Sequence, residues 1–266
     1  MQGLSRALVG RDSRLTEIVQ ITIKAKKTAF LFLLTVILLT LLHCLALFLF
    51  FHSDNPNVLD FTLWFDLDIE RNIPSLYSAA AILICSLLSF LLAGLERKTD
   101  SRNSMYWFGL FLTFLFLSAD EAFELHEAAG DVVSGYMHAT GLLYFPWVLP
   151  YILLTVLFVL LHIKFVLGLP ARTARLFMLS GAVYLIGAVV FDMLGGREAE
   201  LHGYDSAIYC LLYTSEELLE MLGVVGIIYT LLSYLEVRHG CVEIILQLND
   251  AGCVRNFADA SQRSSG

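Results

Sequence analysis

Six long apolar runs punctuate the chain, near residues 28–51, 74–95, 105–127, 147–168, 176–194 and 207–235, and polar residues concentrate in the connectors between them. The runs do not alternate apolar with polar residues, and each exceeds the roughly 4–8 residues of a buried strand. The hydrocarbon of a bilayer is about 30 Å thick. A helix rising 1.5 Å per residue needs about 20 residues to cross it with every backbone group paired. The pattern predicts an all-α polytopic membrane bundle of six transmembrane helices. The first run is longer than the roughly 7–15 apolar residues of a signal peptide, and no small-x-small site follows it, so it reads as an anchor that stays.

Composition agrees. Hydrophobic residues make up 58% of the 266 and charged residues 16%, with a mean hydropathy of +0.72, against about half apolar and a quarter charged in soluble domains. This excludes an ordinary soluble enzyme. The balance of 17 Lys+Arg against 25 Asp+Glu, a net charge of -8, excludes a nucleic-acid partner. The five cysteines, Cys44, Cys85, Cys210, Cys241 and Cys253, show neither C-x-x-C nor disulfide-framework spacing.

Charge distribution orients the bundle. Six Lys and Arg precede the first run, three lie in each of the second-to-third connection and the tail, and the fourth-to-fifth region holds Arg172, Arg175 and, at the end of the fourth run, Lys164. The alternate connections hold one, none and one. The positive-inside rule then places both termini in the cytoplasm, as in a multi-pass protein of a bacterial inner membrane. Residues 1–27 read as a basic cytoplasmic N-terminal segment, 28–235 as the six-helix domain and 236–266 as a short cytoplasmic tail. Within that tail 241–248 suits a short strand and 259–266 a disordered end. Asp54, Asp60, Asp66, Asp68 and Glu70 crowd the first outer loop and read as a solvated face, while Trp64 and Trp147 suit the outer interface.

The informative residues are acids inside the runs. In Ser118–Glu127 of the third run, Asp120 and Glu124 share a helical stripe with Glu127 and Asp131, within about 60° of one another. Glu121 falls at its edge, and His126 points away. The sixth run carries Glu216, Glu217 and Glu220 beside Tyr209 and Tyr213, and the fifth carries Asp192 just before Gly195 and Gly196. Counted from the outer surface, Asp120 and Glu124 lie roughly 5–10 Å deep, Asp192 only a few Å and the sixth-run acids roughly 14–20 Å. A charge at mid-membrane costs about 2.5–3.5 kcal/mol, so these groups must face one another or a wet cavity. Within the runs no Lys or Arg lies at this depth. A bound cation, protonation or contact with histidine remains to balance them.

Hard oxygen ligands on facing helices suit Mg, Ca or Mn, and histidines would extend the choice to Fe or Zn. The expected divalent-metal site has Asp120, Glu124, Glu216 and Glu220 at its core, and His126, Glu127, Asp192 and Glu217 as further ligands. His43, His138 and His202 are more distant candidates. The nearest equivalents of the di-iron Glu-x-x-His pattern, Glu124-x-x-Glu127 and Glu217-x-x-Glu220, lack the histidine. Membrane lipid is the expected surrounding. Three functions fit an outward-opening site of this kind. One is metal-dependent hydrolysis of a lipid or envelope substrate reached from the outer side, with Ser118 inviting comparison with Ser/Asp/His membrane hydrolases. The others are cation- or proton-coupled transport, and a non-enzymatic assembly protein with a structural cation clamp. Gly181, Ala188 and Gly195 share a side of the fifth helix where a neighbour would pack closely.

Four segments carry a resemblance. The Ser118–Glu127 run, Gly141-Leu142-Leu143-Tyr144 followed by Trp147 and Pro150, the acid before Gly195-Gly196, and Glu216-Glu217-Leu218-Leu219-Glu220-Met221-Leu222-Gly223 together resemble a widespread group of bacterial multi-span proteins of unassigned function. The likeness covers about residues 105–235. It implies that these motifs form one unit. Asp192 stands where that group leads one to expect a longer Glu.

Overall fold

The computed structural model describes residues 5–7, 16–53, 56–97, 100–240 and 242–249; the segment 259–266 lies outside the described residues. After strands β1 (Ser5–Ala7) and β2 (Thr16–Ile23) come α1 (Ala25–His52), α2 (Pro56–Phe65), α3 (Ile73–Glu96), α4 (Ser101–Phe123) and α5 (Leu125–Ser134). Next follow α6 (Val148–Gly168), α7 (Ala171–Leu185), a π-helical segment Ile186–Phe191, α8 (Asp192–His202), α9 (Ala207–His239) and strand β3 (Val242–Asn249). Among the described residues six helices are long and apolar enough to cross a membrane: α1, α3, α4, α6, the continuous Ala171–His202 helix and α9. β2 pairs antiparallel with β3 from Thr16↔Asn249 to Ile23↔Val242, so the two ends of the bundle meet on one side. The strand expected at 241–248 is β3.

Local chemistry sets the starts of the helices. Asn72 accepts from the Ser75 N–H while the Ser75 hydroxyl accepts from the Asn72 N–H, a reciprocal cap of α3 with Pro74 in its first turn. Asp100 accepts from the Arg102 and Asn103 amides at the start of α4, and Ser206 from the Tyr209 amide at the start of α9.

α9 runs through the middle of the bundle. Near the termini it packs into a dry core in which Leu92, Trp107, Leu110, Ile228, Leu231 and Leu235 are buried. There the buried Glu96 accepts from the Tyr234 hydroxyl at 3.1 Å and faces His239 and Arg238, locking α3 to the end of α9. Against α7 the backbones meet closely: a Cβ at Gly223 would sit 2.7 Å from Tyr184 Cβ, and one at Gly226 would collide with Ser180. These glycines of α9, with Gly187, make the close approach. Gly181 has open space around it and Gly195 meets only Tyr209, so the small-residue stripe expected on the fifth helix is not where the helices touch.

Two spans depart from their expected form. The third is not one helix over 105–127, because Glu124 adopts a left-handed conformation (φ 57°, ψ 44°) that ends α4 and starts α5 in a new direction. The fifth continues past 194 to His202 and contains the π-helical turn.

Candidate functional site

In the half of the bundle away from the termini, the helices part around a cavity of about 760 Å³. It is walled by the 67–70 loop, α4, α5, α6, the π segment with α8, and α9. Eleven carboxylate residues, five tyrosines and one histidine line it, and among the described residues no Lys or Arg does. All eight residues expected in the site, Asp120, Glu124, His126, Glu127, Asp192, Glu216, Glu217 and Glu220, lie on its wall.

The break at Glu124 determines how the upper wall is built. Because the chain turns there, His126 swings back onto Asp120 instead of pointing away from it as one continuous helix would require. Asp120 Oδ1 accepts the His126 backbone N–H at 2.7 Å and the Tyr151 hydroxyl at 2.8 Å. The His126 ring lies between two acids, with Nδ1 3.4 Å from Asp120 Oδ1 and Nε2 3.2 Å from Glu70 Oε1, and it rests against Trp147 at 5.1 Å between ring centroids. Burial opposes its charge, but hydrogen bonds to Asp120 and Glu70 and their charges outweigh that and push its pKa up to about 10. His126 is an imidazolium at neutral pH with both nitrogens engaged. Glu124 turns to Arg71, which grips it at 2.7 and 2.9 Å. Glu127 and Asp131 are exposed at the mouth, and burial followed by the charges of Glu70 and Glu124 raises the Glu127 pKa.

The lower wall comes from α9 and the π segment. A Cβ on Gly187 would lie 2.7 Å from the Glu216 carbonyl oxygen and 3.1 Å from Glu220 Cγ, so only glycine lets the π segment approach α9 at its acidic turn. The π turn carries an extra residue, and π turns recur at functional sites. Directly after it Asp192 enters the wall, 5% exposed, and its Oδ2 has no hydrogen-bond partner among the described residues. Asp192 and Glu220 lie within electrostatic reach of Glu216, and Glu121 within reach of Glu217 and Glu220, with Tyr184 on the same wall.

Of the first outer loop, Asp60 is exposed as a solvated face requires and Asp54 lies outside the described residues, but Asp66 is buried and Asp68 and Glu70 are part of this wall. Buried His43 in α1 accepts the Leu67 N–H on Nδ1 at 3.2 Å, which leaves Nε2 as the donor to the Thr214 hydroxyl at 2.9 Å. The loop is thereby tied to α1 and α9. Beyond Leu67, Asp68 accepts the Tyr209 hydroxyl at 2.9 Å. Burial pushes the Asp68 pKa up to about 6, against the Tyr209 hydrogen bond and with the neighbouring Asp66. Glu70 Oε2 is buried without a hydrogen-bond partner among the described residues.

Sequence reasoning missed Asp68 and Glu70, which sit in a loop, and did not single out Tyr151 and Tyr184. It left Glu121 at the edge of the stripe. Of the more distant histidines, His43 holds the loop, His202 pairs with Glu198 at 3.0 Å and His138 is exposed. Ser118 is buried and donates to the Ala79 carbonyl at 2.8 Å. Among the described residues no three His, Cys, Asp or Glu side chains converge tightly enough to hold a metal ion.

Residues 29–234 match the family described as Domain of unknown function (DUF8692), a span that covers four of the six apolar helices whole, α1 and α9 except for their outermost residues, and the whole cavity wall. No curated protein and no solved structure matches the chain.

Proposed function

The chain belongs to the DUF8692 family, and from that premise we propose that it is a membrane protein whose acidic cavity binds a divalent cation arriving from the side opposite its termini. Asp192 carries this reading. A carboxylate 5% exposed, with an oxygen that has no partner among the described residues and with Glu216 and Glu220 nearby, stays ionised only if something positive meets it, and otherwise holds a proton that a cation would displace. His126 is in contact with Asp120 and Glu70 and Arg71 with Glu124, so the His126 charge reaches Asp192, Glu216 and Glu220 only through space and among the described residues no cation touches the lower wall. With the Lys and Arg distribution, the mouth faces outward.

The other readings draw less support. Metal-dependent hydrolysis needs a metal-bound water, and among the described residues no three ligands converge to hold the metal, while the Ser118 hydroxyl of the Ser/Asp/His comparison is committed to a backbone carbonyl. Transport needs a way through, whereas Met221, Val224, Val225 and Ile228 on α9 are buried beneath the acids. One-sided binding of a cation is what the arrangement supports best.

The test is thermal denaturation of the purified full chain in detergent with divalent cations, metallic and organic. A ligand of the folded state alone stabilises by about 2.7 kcal/mol at about 100 times its Kd. A saturable rise in Tm that is lost in Glu220→Gln supports the reading. No rise with any divalent cation ends it.

A further inference from the structure

Resting on the cation-binding reading, a narrower conclusion concerns the class of cation. We infer that the ligand is a linear polyamine, one ammonium shared among Asp192, Glu216 and Glu220, another set against Asp68 and Glu70, and its methylene chain laid along the tyrosine wall of Tyr204, Tyr209 and Tyr213.

Size argues first. A cavity of about 760 Å³ falls within the roughly 300–1,000 Å³ of sites that hold organic ligands. A dehydrated metal needs several oxygens at about 2.0–2.6 Å, and among the described residues no such convergence exists.

Hydrogen bonding argues second. Asp192 Oδ2 and Glu70 Oε2 are buried oxygens with no hydrogen-bond partner among the described residues. An ammonium brings three N–H donors that can reach separate carboxylates without drawing them together.

The aromatic wall argues third. Tyr204, Tyr209 and Tyr213 form a ladder with ring centroids 5.3 and 5.2 Å apart. Such rings attract an ammonium to their faces and give a methylene chain apolar contact.

Charge is also placed at more than one level. Asp68 and Glu70 stand near the mouth and Glu216 to Glu220 deeper, and the rise from Tyr209 to Glu220 along α9 is about 16 Å. One ammonium neutralises one level, while a chain with several neutralises both. A phospholipid amine is disfavoured, because its phosphate would enter a wall of eleven carboxylates without Lys or Arg among the described residues.

The experiment is isothermal titration of the full chain in detergent with spermidine, putrescine, butylamine, magnesium chloride and manganese chloride, followed by competition between spermidine and each salt. The expected result is saturable spermidine binding at least about tenfold tighter than butylamine or either metal, equivalent to about 1.4 kcal/mol. Asp192→Asn should weaken spermidine at least about tenfold while the variant still melts cooperatively. Butylamine binding as tightly as spermidine, or a metal binding tenfold tighter than any amine, overturns the polyamine assignment and leaves cation binding standing. No binding by amine or metal removes both. The wild-type competition decides the matter without any variant.

Discussion

Arg71 and Glu124, the two non-glycine residues with positive φ among the described residues (59° and 57°), are the partners of a single bidentate ion pair. One ends the outer loop before α3 and the other breaks the third span, so two strained turns are pinned face to face. This sets Glu70 against His126. A left-handed conformation costs a residue with a Cβ about 1–2 kcal/mol. The ion pair does not offset that, because Arg71 is 68% exposed and such pairs contribute about 1 kcal/mol at most. The bends are held by what surrounds them: Asp120 on the His126 amide, and the Asn72 amide on the Asp66 carbonyl.

A double-mutant cycle of Arg71→Ala and Glu124→Ala should therefore give a coupling below about 1 kcal/mol by thermal denaturation. Arg71→Gly should be about 1 kcal/mol more stable than Arg71→Ala, since both lose the pair but only glycine is at ease at φ 59°. A coupling well above that would mean that the pair, not the surrounding packing, holds the bends.

His126 gives the protein a dependence on alkaline pH. Its pKa is raised from 6.5 in the free state to about 10 in the fold, because the hydrogen bonds and charges of Asp120 and Glu70 outweigh the burial that opposes them. The folded state holds the proton more tightly, so the contribution is complete below pH 6.5, declines above it and is gone once pH passes about 10. Tm measured across that range should show wild type losing its margin over His126→Gln as pH rises. A constant margin would mean that His126 is neutral in the fold.

What crosses the membrane was legible, and what shapes the site was not. A span must be apolar throughout to lie in lipid, so runs at 74–95, 147–168 and 207–235 foretold Ile73–Glu96, Val148–Gly168 and Ala207–His239 closely. The same argument of cost brought Asp192, Glu216 and Glu220 to one cavity. The break at Glu124 left no mark, because left-handed residues are usually betrayed by Gly or Asn and here a glutamate is forced into place by its contacts. A wheel drawn through it put His126 on the wrong side. Glu70 escaped for a related reason: acids in a loop are ordinary, and only the fold of 66–72 onto His43 and His126 turns this one inward.

The glycines where α7 and the π segment meet α9 should separate cleanly from those that merely look suitable. Gly223→Ala drives a methyl to 2.8 Å from the Tyr184 backbone nitrogen, an overpacking worth about 1–3 kcal/mol. Gly187→Ala should have a similar cost and also weaken cation binding, since the new methyl displaces the turn bearing Glu216 and Glu220. Gly181→Ala meets nothing within 4 Å and should leave Tm within the range of ordinary surface changes. If all three behave alike, the close approach of these helices is not what orders the site.

Asp192→Asn tests whether the cavity holds its charge for a ligand. In the empty protein the carboxylate is a liability, being buried with one oxygen unpaired and facing Glu216 and Glu220. A buried unsatisfied group costs about 1–3 kcal/mol, and more when charged. An amide removes the repulsion and brings two N–H donors for the neighbouring acids. The variant should therefore melt higher than wild type without ligand and respond less to added cation, because the group that is costly when empty is the one that binds. Such opposition of stability and function is common where a site stores unfavourable electrostatics. The measurement is a pair of melting curves for each protein, with and without cation. A wall built only for structure would lose stability on the same substitution.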